Sequence, residues 1–433
     1  MSEMNVKKVS LLTIVFSWFI YTGIGINVLG TPIDISKMVI LCVIFIFIIL
    51  KLRFKIHIID KIFLLYILMQ ILFSVFFIDF FHQSIYLAYY VVFYYSSYFI
   101  ARSIFDNNNL FEYFIKYLTY ITIIMLLFMI ILNMNNIYFL DNFRVAYSEE
   151  VLNYSHKYIK IFHGINFGKS FVGQFLSPNT SSQFIGMLMV LLVPYYLWKL
   201  NHDNLFVFII LFTVLIIGLA MTQSRIAVII ILMQFFILLI LRYRYSMKTT
   251  IAFCISLFIV ALLNYDVILF YYYLLTALST YVDQVSIVSS VSSVSSDRVY
   301  FYILFFKYIF TDNINFLFGY GPLVDKFIPS VIGITDLAWI FNTFLQVGLF
   351  SIFVYMFFYF KILQNIWNNY KIDNVAYIGL LKYVLAVFIG LLVVSIPTYQ
   401  AILNPIYFFI IGAIVSLVLN ETNYKSSLLE KDE

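Results

Sequence analysis

From Leu205 to Met221 the chain reads LFVFIILFTVLIIGLAM, without a charge or a proline. A segment that is apolar on every side has no polar face to offer water, so it belongs in a protein core or a bilayer. Comparable runs of roughly 18–25 residues recur along the chain, the length a helix needs to cross a hydrocarbon layer of about 30 Å. Only helices and closed barrels satisfy the backbone in lipid. Here the runs are continuous rather than alternating, which selects helices. Charged residues make up 11% of the 433, against about 25% in soluble domains.

The fold class expected is therefore all-α: a polytopic membrane protein with about 12 transmembrane helices, forming one integral membrane domain over 1–433. Spans one to five read as 9–29, 37–52, 61–80, 84–104 and 112–133. An outer loop follows at 134–179. Spans six to nine read as 180–199, 204–221, 225–242 and 249–270, and a second outer loop covers 271–336. Spans ten to twelve read as 337–361, 375–396 and 402–419. Two lysines precede the first run as in a signal peptide. The run lasts past Ile26 without a small-residue cleavage site, so an uncleaved first span is expected.

Lysine and arginine set the orientation. With the N-terminus inside, Lys7, Lys8, Lys51, Arg53, Lys55, Lys61, Arg102, Lys199, Arg242, Arg244, Lys248, Lys361, Lys371, Lys425 and Lys431 all fall on the cytoplasmic side. The short outer loops keep only Lys37 and Arg225. Both termini are thus expected in the cytoplasm and both long loops outside. The basic residues are scattered, so the formal net charge of +5 implies no nucleic-acid partner. Cys42 and Cys254 lie in apolar runs and form neither a disulfide framework nor a metal site.

Within the second outer loop, SIVSSVSSVSSDR (286–298) is a polar stretch in a very apolar chain. Ser296 or Asp297 suits a helix N-cap, and the following RVYFYILFFKYIF is too short to span. Arg298 is either an interfacial anchor or the partner of something anionic. Arg225, at the start of the eighth span, runs against the inside-positive trend and carries the same two readings. Arg144, in LDNFRVAYSEE, is either solvated loop charge or a further anion contact. In FLFGYGPLVDKF, Gly319 and Gly321 permit a tight turn with exposed N–H groups that could approach a phosphate. Asp336 opens the tenth span as an N-cap or as a general base.

Arginine is permanently charged and bonds two oxygens at once, which suits phosphate. Several arginines and one carboxylate at an outer membrane surface fit a lipid-linked pyrophosphate substrate, with arginine steadying the leaving group and a carboxylate taking a hydroxyl proton. Glu149, Glu150 and Asp336 are the candidate carboxylates on that side. No Asp-x-Asp pair occurs in either outer loop, so no metal or other cofactor is implied.

Four segments, in order, carry a resemblance. GQFLSPNTSSQFIGMLMVLLVPYYL (173–197), TQSRIAVI (222–229), SSDRVYFYILFFKYIFTDNINFLFGYGP (295–322) and TDLAWIFNTFLQVGLFS (335–351) are similar to motif segments of the O-antigen polymerase and ligase superfamily. The match covers about residues 140–355. It implies a bacterial inner-membrane glycosyltransferase acting on undecaprenyl-pyrophosphate-linked oligosaccharide at the outer face. By the same resemblance Arg225 and Arg298 bind pyrophosphate or an acidic sugar, Arg144 is a further candidate, and a chain-length regulator is an open partner. Ligases of that superfamily carry a histidine after the large loop. Here His57, His82, His156, His163 and His202 all precede the serine run, and Asp336 takes the corresponding place, which favours the polymerase branch for O-antigen or capsule.

The competing class is a transporter, such as a lipid-linked oligosaccharide flippase. Transporters need polar groups near the bilayer midplane, and the span centres read as almost free of them.

Overall fold

The structure is a computed structural model that describes residues 3–19, 25–28, 31–49, 55–77, 80–106, 108–134, 159–162, 165–169, 178–199, 202–222, 230, 313–321, 339–370, 375–395 and 404–432. It is a helical bundle. Its elements in order are α1 (Glu3–Ser17), the hairpin β1 (Gly25–Val28) and β2 (Thr31–Asp34), α2 (Ile35–Ile49), α3 (Ile58–Phe73), α4 (Phe80–Tyr90), α5 (Ser96–Ile104) and α6 (Asn108–Met134). A second hairpin pairs β3 (Ile159–Phe162) with β4 (Ile165–Lys169). Then come α7 (Pro178–Trp198), α8 (His202–Met221), the short α9 (Asn313–Phe318), α10 (Trp339–Tyr370), α11 (Val375–Ser395) and α12 (Asn404–Asp432).

Among the described residues, five helices are long and apolar enough to cross a membrane: Ile58–Phe76, Leu110–Leu132, Ser181–Trp198, Asn204–Met221 and Leu345–Asn365. The distribution of side chains on α3 says what surrounds them. Asp60 and Gln70 are buried, whereas Leu68 is 53% exposed and Leu72 67% exposed. A helix that turns its polar residues inward and its leucines outward is the inverse of an amphipathic helix in water. It is stable only where the outer solvent is hydrocarbon.

The first span differs from the sequence reading. Its helix stops at Ser17, and Gly25–Asp34 pairs as an antiparallel hairpin instead of continuing to residue 29. Gly23, Gly25 and Gly30 each cost a helix about 1 kcal/mol relative to alanine, and Pro32 cannot continue one. The helices over spans six, seven and eleven match the expected boundaries within two residues, whereas α3 ends at Phe73 and not 80, α10 runs on to Tyr370 and not 361, and α12 to Asp432 and not 419. The eighth and ninth spans lie outside the described residues, apart from Ile230.

Three breaks shape the bundle. Helices α4 and α5 are joined through a five-residue π-helical segment, Val91–Tyr95, so they run as one rod with a widened turn. Helix α7 begins on Pro178, where a missing N–H does no harm, and carries Pro194 inside. Helix α10 is broken at Gly348, whose φ of 73° and ψ of 174° are open only to glycine.

Lipid offers no hydrophobic drive between helices, so packing and polar contacts must hold them together. Phe63 sits at the centre of the packing, with ring centroids 4.6 Å from Tyr98, 5.0 Å from Phe358 and 5.6 Å from Phe408. Each such aromatic pair contributes about 0.5–1.5 kcal/mol beyond area burial. Helices α5 and α12 approach closely because Gly412 faces the Tyr98 carbonyl, with no room for a Cβ.

Candidate functional site at the glycine end of the bundle

The two ends of the bundle differ in chemistry. At one end, the backbone N–H of His57 donates to Asp60 Oδ2 at 2.8 Å, starting α3 with a side-chain cap. Arg102, from the last turn of α5, grips the same carboxylate with Nε to Oδ1 at 2.9 Å and Nη2 to Oδ2 at 3.2 Å. Tyr98 donates its hydroxyl to Oδ1 at 2.7 Å, and Arg102 Nη1 donates to Ser416 Oγ of α12 at 2.7 Å. Both partners of the pair are buried. The carboxylate is committed to four donors, so it has no free lone pair for general-base work. This cluster fastens α3, α5 and α12.

Sequence reading placed Arg102 among the cytoplasmic-side cations and passed over Asp60. A signal was present: Tyr98 and Arg102 lie four apart on α5, on one face, and Asp60 is the only acid in α3. Beside this cluster His57 titrates below the ordinary histidine range. Burial is the larger cause and the Arg102 charge the next.

Other helices fix which of their ends lie here. Phe105, just after α5, packs on Phe111 at the start of α6 and on Phe409 of α12. Phe111 in turn meets Tyr383 in the first half of α11, and Tyr383 stacks on Trp198 at the end of α7. Helices α3, α6 and α8 therefore start at this end and run away from it. At the far end Leu126, Ile185 and Gly218 come together from late α6, early α7 and late α8.

That far end holds the second cluster. The rings of Phe73, the last residue of α3, and Phe76, in the 3-10 turn that follows, pack on Phe318 at 4.9 and 4.3 Å. The Gly319–Gly321 segment lies against the break in α10. Tyr320 N–H donates to the Leu345 carbonyl at 2.8 Å and Gly321 N–H to the Gln346 carbonyl at 3.0 Å. The break at Gly348 frees these carbonyls from the intrahelical ladder, and the glycine segment takes them up. Gln83 of α4, fully buried, donates Nε2 to the Tyr320 carbonyl at 3.2 Å.

Gly319, Gly321 and Gly348 have φ of 90°, 91° and 73°. A Cβ on Gly319 would overlap the Gln346 carbonyl, and one on Gly348 would overlap the Gly319 backbone. Two glycine motifs that read separately in the sequence thus form one clasp. The expectation that this turn presents exposed N–H groups to a phosphate is corrected. The N–H groups of Tyr320 and Gly321 are bonded to carbonyls, and both residues are buried.

Arg144, Arg225, Arg298 and Asp336 lie outside the described residues, as do Glu149, Glu150, His156 and His163. The nearest described helix ends in sequence lie three residues from Arg225 and Asp336, but ten from Arg144 and fifteen from Arg298. Met134 precedes Arg144 and ends α6; Thr222 precedes Arg225 and follows α8. Asn313 follows Arg298 and opens α9; Trp339 follows Asp336 and opens α10. All four of these flanking positions belong to the glycine end. Among the described residues, no group of three or more His, Cys, Asp or Glu is placed to hold a metal ion.

The span centres are more polar than the sequence reading held. Gln70 accepts a hydrogen bond from the Tyr95 hydroxyl at 3.1 Å, and Tyr359 bonds Tyr355 at 2.6 Å and Tyr407 at 2.9 Å, all deep in the bundle.

Comparisons with family models, with curated proteins and with solved structures find no match to this chain.

Proposed function

We propose that this protein is a polysaccharide polymerase of the O-antigen polymerase and ligase superfamily, spanning a bacterial inner membrane about twelve times with both termini in the cytoplasm. What carries the reading is the order of the four motif segments, together with the common end of the bundle shared by the described helix ends that flank them in sequence. The inner positive charges support the same orientation, with the Asp60–Arg102 end cytoplasmic and the glycine end outside.

In the reaction, a hydroxyl of the incoming lipid-linked repeat unit attacks the anomeric carbon of the growing chain. A new glycosidic bond forms and the bond to undecaprenyl pyrophosphate breaks. Arg225 and Arg298 stabilise the charge that develops on the departing pyrophosphate, with Arg144 as a further contact. Asp336 accepts the hydroxyl proton. Gly319 and Gly321 serve the substrate indirectly, by tying the limb of the loop that follows Arg298 to the start of α10. Permanent guanidinium charge lets such a site work on pyrophosphate without a metal.

The test supplies purified protein in lipid with undecaprenyl-pyrophosphate-linked repeat units as the only substrate. A ladder of glycans longer than one unit is expected. Folded protein that leaves the correct repeat unit unextended overturns the reading, and shifts it to a ligase or a flippase, which need a second acceptor or a second compartment.

A further inference from the structure

Helices α3 and α10 run antiparallel through the middle of the bundle. Ring centroids of Phe63 and Phe358 lie 5.0 Å apart, those of Tyr66 and Tyr355 4.6 Å, and those of Phe73 and Phe350 6.2 Å. Each advance along α3 is matched by a retreat along α10. Four residues on from Tyr66 is Gln70, and four back from Tyr355 is Ser351. Steps of four keep to one helix face, so Gln70 and Ser351 are the next facing pair.

Both residues are buried, Gln70 at 3% exposure and Ser351 at 0%, and both keep a polar atom unpaired: Gln70 Nε2 and Ser351 Oγ. The Gln70 amide is not free to turn. Its Oε1 accepts from Tyr95 Oη at 3.1 Å, and Tyr95 closes the π-helical segment whose widened turn brings that hydroxyl onto α3. Nε2 is left aimed away from Tyr95 with two donor hydrogens. A buried amide donor without an acceptor is strongly disfavoured, and proteins meet such groups with ordered water.

We propose that Gln70 and Ser351 hold one buried water molecule between α3 and α10, at mid-bundle. The water accepts from Gln70 Nε2 and exchanges a hydrogen bond with Ser351 Oγ, extending the Gln70–Tyr95 link onto α10. The surroundings select water over an ion. Among the described residues, the nearby polar groups are a neutral amide, a hydroxyl and the phenols of Tyr66, Tyr95 and Tyr355, with no charge to balance. The ring contacts on either side, Tyr66 with Tyr355 and Phe73 with Phe350, hold the helices too close for a larger guest.

The test uses the full chain in lipid nanodiscs, with a structure at a resolution where ordered water is visible. One peak is expected at about 2.7–3.2 Å from both Gln70 Nε2 and Ser351 Oγ. No peak, or a direct bond between the two side chains, overturns the proposal. Thermal midpoints of Gln70→Met, Ser351→Ala and the double variant give a second measurement. A shared water makes the losses overlap, so the double variant melts near the weaker single one. Fully additive losses overturn the proposal as well. Ser351→Ala removes one atom and keeps the fold, so its density map should lack the peak even if Gln70→Met is unstable. Neither measurement reads activity, so both stand apart from the polymerase reaction.

Discussion

Asp60 and Arg102, 42 positions apart in sequence, meet through two parallel hydrogen bonds of 2.9 and 3.2 Å in a buried site at one end of the bundle. The pair is neutral overall, and its further hydrogen bonds go to Tyr98, His57, Ser416 and the Lys55 carbonyl. Removing two ions from water is unfavourable, and their attraction repays it only with full hydrogen bonding of this kind.

Breaking that pair on one side should therefore be far worse than removing it whole. Asp60→Ala leaves a buried guanidinium without its counter-ion, with an expected loss of about 3–5 kcal/mol. The double variant Asp60→Leu with Arg102→Met should recover much of it. Thermal unfolding in detergent or lipid measures both. A double variant no better than Asp60→Ala would mean that the four-donor geometry, and not the charge balance, is what holds α3, α5 and α12.

Next to the pair, His57 has its titration moved below the usual value by burial first and by Arg102 second. A histidine with a lowered folded pKa is held neutral by the fold, and the unfolded chain binds more protons. Its contribution to stability is full above about pH 6.5, the ordinary histidine value, and is lost as pH falls towards the folded pKa. Midpoints recorded from pH 7.5 down to 5.5 should fall less steeply in His57→Gln than in the parent chain. Parallel curves would show that His57 does not titrate differently on folding.

The glycine clasp predicts unequal responses to one methyl group. Gly348→Ala places a Cβ at positive φ against the Gly319 backbone, and about 1–3 kcal/mol of strain adds to the overlap. At Gly218 a Cβ would instead meet methyl carbons of Ile185 and Leu126 at 3.2 Å. Side chains there can yield by a few tenths of an ångström. Gly218→Ala is expected to melt close to the parent and Gly348→Ala well below it. Equal midpoints would mean that the break in α10 can close into regular helix without loss.

Much of the bundle was legible because lipid reduces the code to length and charge. Segments such as 112–133 and 204–221 carry a long apolar signal, and α6 and α8 lie over them. The first span failed because hydropathy is blind to conformation: Gly23, Gly25 and Gly30 keep the window apolar while opposing a helix. At the candidate site, Gly319 and Gly321 were visible as a turn, but their partner was not. The carbonyls of Leu345 and Gln346 become acceptors only because α10 breaks at Gly348, a pairing that no local window contains. Asp60 was hidden in the same way, since its side-chain partners Tyr98 and Arg102 come from α5.

The arginines supply the sharpest test of the polymerase reading. A guanidinium aimed at pyrophosphate helps most as negative charge gathers on the leaving group, so removing it acts on turnover more than on substrate binding. Arg225→Glu and Arg298→Glu are each expected to abolish polymer, and Arg298→Lys to lower the rate by on the order of 10²-fold, comparable to losing one preorganised donor. All three are expected to insert at parental levels, because the flanking helices keep contacts of their own: Thr222 bonds the Leu219 carbonyl and Phe318 of α9 packs on Phe73. The measurement is a glycan ladder from reconstituted protein, beside an insertion assay on the same preparations. Parental chain lengths in the two charge reversals would remove both arginines from the reaction and leave them as anchors at the membrane surface.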